Sequence, residues 1–295
     1  MNWITFLPAA VTLALATALG HAAPPLHPAW SARLLVTVAV TTVLAVAGTV
    51  VFVGVNYLAG LAPGFTTWLP EWALFGDDRP LPSAVGLPAL TLAAGGAVLV
   101  WRLVAGWTAD LRSARAATRR PLDTDAPIAL AVPGRGGGVV VSRGLLAMLT
   151  PEELRVVFQH ERSHLRHSHH RYLAAGSLAA AVLPLGRLDE RLRFAVERWA
   201  DEDTAECVGD RGLVARTIAR VALTRPPGEF PAYGPFAGVT GSGVVQRVQA
   251  LLGEPPPKNT VSGPVVVVCA GLVTSVLAST ALQIDKALGL TFPFL

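Results

Sequence analysis

The feature that most constrains the fold is a series of long apolar runs that contain almost no charged residues. The clearest is Leu34–Tyr57, which has no Asp, Glu, Lys or Arg and is rich in Val, Ala and Thr. A run of this length meets the ~20 residues that a helix needs to cross a bilayer. Similar runs are Met1–Gly20, Ala84–Trp107 and Val261–Leu282. The sequence therefore predicts a mainly α membrane protein with four transmembrane helices and a lipid bilayer as their surroundings.

The first run has a competing interpretation as a cleaved signal peptide. A signal peptide carries a basic segment before its apolar core, whereas no Lys or Arg precedes Arg33 here. We therefore favour a transmembrane helix. A fifth run, Tyr172–Leu185, is short and contains Pro184. Runs of that length are more typical of buried or re-entrant helices, so it is not counted as a span.

Charged residues are scarce and unevenly distributed along the chain. They make up 15% of it, against about 25% in soluble domains, and they concentrate between Arg102 and Arg225. This pattern predicts three regions: three transmembrane helices in 1–107, a polar domain in 108–260, and a last helix with a short tail in 261–295. The net charge is +4, but no nucleic-acid-binding motif accompanies it, so we expect no direct nucleic-acid partner.

The loops predict the orientation in the membrane, because short loops rich in Lys and Arg face the cytoplasm. The loop between the second and third spans carries three acidic residues and one arginine, namely Glu71, Asp77, Asp78 and Arg79. The segment after the third span carries four arginines, namely Arg112, Arg115, Arg119 and Arg120. We expect the polar domain to be cytoplasmic at the plasma membrane, with the N- and C-termini outside.

The polar domain opens with signals for a hairpin and a helix. Two β-like runs, Ile128–Val132 and Gly138–Ser142, flank a Pro- and Gly-rich turn at 133–137. A short apolar helix is expected at Gly144–Leu149. A longer helix should then start at Thr150, with Pro151 in its first turn and Glu153 completing a capping box.

The chemistry lies further along that helix, in His160-Glu161-Arg162-Ser163-His164. Two histidines four residues apart project from one helix face and can bind one metal ion, while Glu161 is placed to act as the general base. Imidazole and carboxylate ligands suit Zn²⁺, and a catalytic zinc keeps one position open for water. The motif predicts a zinc metalloendopeptidase in which His160 and His164 bind the metal and Glu161 is catalytic.

Such a site needs a third protein ligand, and a second predicted helix, from about Asp189 to about Gly209, offers one. Glu197 and Asp201 lie four residues apart on one face of this helix. We choose Glu197 as the ligand and Asp201 as the partner that orients a ligand histidine. His167 is the alternative ligand, but three ligands along two turns of one helix would point too far apart.

The other polar residues near the motif are interpreted as surface. We expect His169 and His170 to be solvated or to face lipid headgroups. The remaining acids of the second helix are interpreted as a solvated face, and these are Glu202, Asp203 and Glu206.

Together these segments resemble a known family, the membrane metallopeptidases of the beta-lactam sensor type (BlaR/MecR antirepressor proteases). HtpX-like and CAAX-prenyl membrane proteases are more distantly similar. The resemblance covers about 128–205 and rests on Val139–Leu146, Glu153-Leu154, the His160–His164 motif and Glu197–Asp201. It implies a gluzincin-like α+β protease domain inserted between the third and fourth spans, with zinc bound by His160, His164 and Glu197. Those sensors carry a penicillin-binding domain after the last span, and we expect no fused sensor of that kind in Gln283–Leu295.

Three functional hypotheses follow. The leading one is a membrane-anchored endopeptidase whose protein substrate is a cytoplasmic transcriptional repressor in a signalling pathway. The second is a quality-control protease for membrane proteins. The third is a non-catalytic membrane receptor or scaffold that retains the fold, which the intact Glu161 disfavours, because a scaffold needs no general base.

The predicted orientation can be tested with single cysteines, after Cys207 and Cys269 are replaced. A cysteine at Ser113 should resist a membrane-impermeant thiol reagent in intact cells and react once the cells are opened. A cysteine at Ser83 should react in intact cells. The reverse pattern would place the polar domain outside the cytoplasm and exclude cytoplasmic substrates.

Overall fold

The fold begins with three helices, of which the second and third are long. The computed structural model describes residues 3–22, 24–62, 64, 81–117, 121–224 and 243–272. A short 3-10 turn at Trp3–Phe6 leads into α1 (Leu7–His21), which is followed by α2 (Pro28–Leu61) and α3 (Ser83–Ala117). These elements form the N-terminal part of the chain.

A small sheet and the remaining helices follow. Strands β1 (Ala129–Val132) and β2 (Gly138–Val141) pair antiparallel, with Ala129 opposite Val141. The predicted hairpin is therefore confirmed, and its turn uses positive φ at Gly134 and Gly136, a conformation that glycine adopts without steric cost. The helices are α4 (Arg143–Met148), α5 (Pro151–Arg166), α6 (His169–Val182), α7 (Gly186–Val208), α8 (Arg211–Thr224), α9 (Val244–Leu252) and α10 (Ser262–Leu272).

Among the described residues, α2 and α3 are the two helices long and apolar enough to cross a membrane. They contain 34 and 35 residues, or roughly 50 Å each at 1.5 Å per residue, against a hydrocarbon core of about 30 Å. Large apolar side chains point outward from both, including Leu44, Leu92 and Trp101, which are 66%, 64% and 70% exposed. Such exposed apolar surface is compatible with lipid contact.

The other two predicted spans stay predictions. The first run forms α1, whose 15 residues fall short of the ~20 that a span requires. The fourth is described only as far as Leu272. The acidic loop residues at 71–79, Arg119 and Arg120 also lie outside the described residues, so the orientation stays a prediction as well.

The start of α5 agrees with its sequence signal. The hydroxyl of Thr150 accepts a hydrogen bond from the backbone N–H of Glu153, and the Glu153 carboxylate accepts one from the N–H of Thr150. The predicted capping box is therefore confirmed. Arg220 of α8 donates to both Glu153 oxygens at 2.9 Å. The first turn of α5 is therefore stabilised both by its capping box and by an ion pair with α8.

The main core joins the N-terminal helices α1 and α2 to α7 of the polar domain. Its buried side chains include Leu35 and Val38 of α2, and Leu192, Val196 and Trp199 of α7. Arg191 of α7 donates to the carbonyl of Gly20 at 2.7 Å and also to that of His21, which satisfies the C-terminal end of α1. The regions 1–107 and 108–260, predicted as separate, therefore share one core, and their boundary stays a prediction.

Candidate metal centre

The centre forms where α5 lies against α7. His160 and His164 are one turn apart on α5, and Glu197 and Asp201 are one turn apart on the facing side of α7. The side chains of His160, His164 and Glu197 are each 13% exposed, whereas Asp201 is fully buried. The structure thus brings together all four residues that the sequence singled out around the metal.

The donor atoms of three side chains lie at distances that fit one tetrahedral ion. Nε2 of His160 is 3.1 Å from Nε2 of His164. The Glu197 carboxylate oxygens are 3.4 Å and 3.5 Å from those two nitrogens. Two ligands of a tetrahedral zinc ion, each ~2.1 Å from it, lie about 3.4 Å apart. The donor set and spacing therefore fit zinc, and among the described residues this is the group of three able to hold a metal ion.

Asp201 supports His160 from the far side of the ring. Its Oδ1 lies 3.2 Å from Nδ1 of His160, the nitrogen that points away from Glu197. A carboxylate in this position fixes the tautomer and ring orientation of a ligand histidine. This is the geometry expected of the orienting role chosen for Asp201.

Arg247 of α9 holds both acidic residues, and the sequence interpretation missed it. Its Nε and Nη2 each donate to one oxygen of Asp201 at 2.7 Å. Its Nη1 lies 3.0 Å from Oε2 of Glu197, and the side chain is only 4% exposed. A signal was present, because Arg247 shares a helix face with the buried Leu251, and a charged residue on a buried face needs a partner.

The charges favour cation binding. Burial acts to raise the pKa of the Glu197 carboxyl, but the Arg247 guanidinium together with His164 and His160 outweighs burial and holds that pKa below its usual range. Burial lowers the pKa of His164 to about 4. Burial alone would also lower the pKa of His160, but the carboxylates of Asp201 and Glu197 outweigh it and raise the pKa to about 10. Glu197 is thus ionised and His164 neutral at pH 7, and a cation bound here would replace the proton on His160.

Glu161 lies beside the centre on the wall of a partly open cavity of about 100 Å³. Its polar lining residues are His160, Glu161, Thr217 and Arg247. The rest of the wall is mainly aliphatic and includes Ala129 of β1, Val157 of α5, and Ile218 and Val221 of α8. The cavity therefore places Glu161 and His160 beside a mainly apolar space.

Two predictions about neighbouring residues are wrong. His169 is not solvated but fully buried, because the chain turns back after α5 and directs the first residue of α6 towards His164. Glu202 is 7% exposed rather than part of a solvated face, because Arg198 and Arg211 both pair with it. Glu206 is exposed and pairs with Lys258 at 2.7 Å.

His167, the alternative third ligand, lies away from the donor set. It follows the last residue of α5, and its Nε2 is 3.7 Å from Asp203. Its ring packs against Trp199, with ring centroids 4.6 Å apart. The structure therefore groups Glu197, rather than His167, with His160 and His164.

Comparison with known proteins gives one match. Residues 122–188 match the model of Peptidase family M48, a family of zinc metallopeptidases. The match includes β1, β2 and all of α5, but it covers less than a quarter of the chain and ends before Glu197. It supports a metallopeptidase and does not distinguish the beta-lactam sensor type from HtpX-like proteases. No curated protein and no solved structure matches the chain.

The ligand assignment predicts the metal content of the purified protein. Wild type should hold about one zinc ion per chain, and His160→Ala, His164→Ala or Glu197→Ala should each lose most of it, because two remaining ligands bind weakly. His167→Ala is the matched control and should keep its zinc. Elemental analysis of the detergent-purified chain measures this. A His167→Ala variant without zinc, beside a Glu197→Ala variant with zinc, would show that the third ligand is wrong.

Proposed function

We propose that this chain is a membrane-anchored zinc endopeptidase that hydrolyses a protein substrate at the cytoplasmic face of the plasma membrane. The observation that carries the proposal is the set of three donor distances around His160, His164 and Glu197. The M48 match over the α5 motif supports the same class of enzyme.

The residues of the centre divide the reaction among them. Zinc bound by His160, His164 and Glu197 would polarise the scissile carbonyl and lower the pKa of the attacking water. Glu161 takes the proton of that water and later passes it to the leaving amine. Asp201 and Arg247 keep His160 and Glu197 in place, and the aliphatic cavity wall receives an apolar side chain of the substrate.

The location of the centre supports a substrate near the membrane surface. Trp199 lies two residues after Glu197, and the guanidinium of Arg33 is 4.7 Å from the centre of its ring. Arg33 belongs to the first turns of α2, at the end where this helix leaves its apolar stretch. If α2 crosses the bilayer, the metal centre lies close to the membrane surface.

Two substrate classes are compatible with that location. A cytoplasmic transcriptional repressor, suggested by the family resemblance, remains the leading candidate. A membrane protein cleaved for quality control is the second candidate. The aliphatic cavity and the shared core of α2 and α7 favour it, since both would suit an apolar segment leaving the bilayer.

Glu161→Gln tests the proposed chemistry. The variant should keep its zinc, because the ligands are unchanged, but its peptide-bond cleavage should fall by about 10²–10⁴-fold, because the general base is lost. Glu152→Gln, the same exchange at an exposed position of α5, should cleave like wild type. New protein N-termini in wild-type cells, compared with both variants, report the activity.

The same comparison separates the two substrate classes. Termini that depend on Glu161 and map to a DNA-binding regulator would support the repressor, whereas termini within many membrane proteins would support quality control. Undiminished cleavage by the zinc-loaded Glu161→Gln variant would refute the assignment of the general base.

A further inference from the structure

His169 occupies a position that an ordinary core residue would not explain. It is the first residue of α6, and its ring is fully buried. Its Nδ1 lies 3.0 Å from Nδ1 of His164. The preceding Ser168 has φ 54° and ψ 40°, a left-handed conformation that is sterically unfavourable for a non-glycine residue. The turn between α5 and α6 thus accepts backbone strain while directing His169 at His164.

The contact between the two rings fixes where the protons must be. Nε2 of His164 faces His160 and Glu197, so His164 would bind the metal through Nε2 and carry its proton on Nδ1. Two ring nitrogens 3.0 Å apart need one donor and one acceptor. His169 must therefore accept through Nδ1 and carry its own proton on Nε2. With the opposite tautomers, His164 would hold a proton on the nitrogen that faces the metal.

The surroundings of His169 hold its ring in this orientation but leave one ring nitrogen without a hydrogen bond. Trp199 and Tyr172 pack around the ring, with centroids 4.6 Å and 6.2 Å away. Its buried Nε2 has no hydrogen-bond partner among the described residues. An unsatisfied buried polar group is destabilising, and a phenylalanine here would avoid that cost. The polar ring is therefore better explained by its contact with His164 than by packing.

The two ligand histidines would then be supported differently. Asp201 lies behind His160, and its charge is balanced by Arg247. A second carboxylate behind His164 would need a further buried cation. A neutral imidazole can accept the hydrogen bond of His164 without adding charge to the centre.

We propose that His169 is a positioning residue: its Nδ1 accepts a hydrogen bond from Nδ1–H of His164 and thereby fixes the tautomer and ring orientation with which His164 binds the metal. The inference rests on the proposed metal centre. Partners of this kind typically contribute 10–100-fold to metal affinity. His169 would thus orient His164 in the way that Asp201 orients His160.

The test measures zinc affinity by competition with a chelator, on the full chain in detergent. His169→Phe keeps the ring but removes the acceptor, and it should bind zinc about 10–100-fold more weakly. It should melt no earlier than wild type in the metal-free state, because it also removes the unsatisfied Nε2. His170→Phe, the same exchange at the half-buried neighbouring position, is the matched control and should bind zinc like wild type.

A second pair of variants keeps the proposal testable if His169→Phe does not fold. Asn places an amide oxygen near the position of Nδ1, whereas Gln places it near the position of Nε2. His169→Asn should therefore bind zinc at least about 10-fold more tightly than His169→Gln. The cobalt-substituted Asn variant should also keep a visible spectrum close to that of wild type, and the Gln variant should not.

Equal zinc affinities of the Asn and Gln variants would overturn the role of His169, as would wild-type affinity in His169→Phe. Failure of the metal centre itself looks different, because His160→Ala would then also leave zinc binding unchanged. Loss of zinc in His160→Ala together with unchanged binding in the His169 variants would refute only the inference about His169.

Discussion

The interaction on which the centre depends is the contact of Arg247 with Asp201 and Glu197. Two carboxylates that are almost fully buried on one face of α7 would repel each other and lose their hydration. The guanidinium of Arg247 binds both oxygens of Asp201 and one oxygen of Glu197. Removing one partner of such a buried ion pair costs about 3–5 kcal/mol. Arg247 therefore allows acidic side chains to lie beside two buried imidazoles. Because Arg247 belongs to α9, this helix is a structural part of the metal centre.

Apolar packing joins the same centre to α2. The first turns of α2 share a buried core with α7, while Leu44 and Val51, further along α2, are 66% and 50% exposed. One helix thus contributes to the core of the polar domain at its start and exposes apolar surface beyond it. Arg33 lies near the change between the two environments and contacts Trp199, close to Glu197. Under the proposed function, this arrangement would hold the metal centre at a fixed distance from the membrane surface.

The sequence was sufficient where the signals are local. The helix start at Thr150, the hairpin around Gly134 and Gly136, and the face shared by His160 and His164 all depend on residues within a few positions of one another. Glu197 was chosen because the site needs a third ligand and a second helix carries acids at the right spacing, and the structure groups it with His160 and His164. Periodicity and capping rules capture the helix start, the hairpin turn and the shared histidine face, because the residues involved are close to one another in the sequence.

What the sequence did not reveal depends on contacts between distant elements or on an unusual turn. Arg247 meets Asp201 across 46 positions of the chain, and no local pattern relates the two. His169 was predicted to be solvated because a row of histidines after a helix is typical of a surface. The left-handed turn at Ser168 buries it, and a serine does not predict a left-handed conformation. Glu202 was misjudged for the same reason, because its partner Arg211 belongs to the following helix.

The most direct test of the central claim is anomalous scattering at the zinc absorption edge from crystals of the full chain. The account predicts one strong peak about 2.0–2.2 Å from Nε2 of His160, Nε2 of His164 and a carboxylate oxygen of Glu197. A peak at another group, such as His167 and Asp203, would contradict it. So would zinc-containing crystals in which His160, His164 and Glu197 lie together without a peak between them.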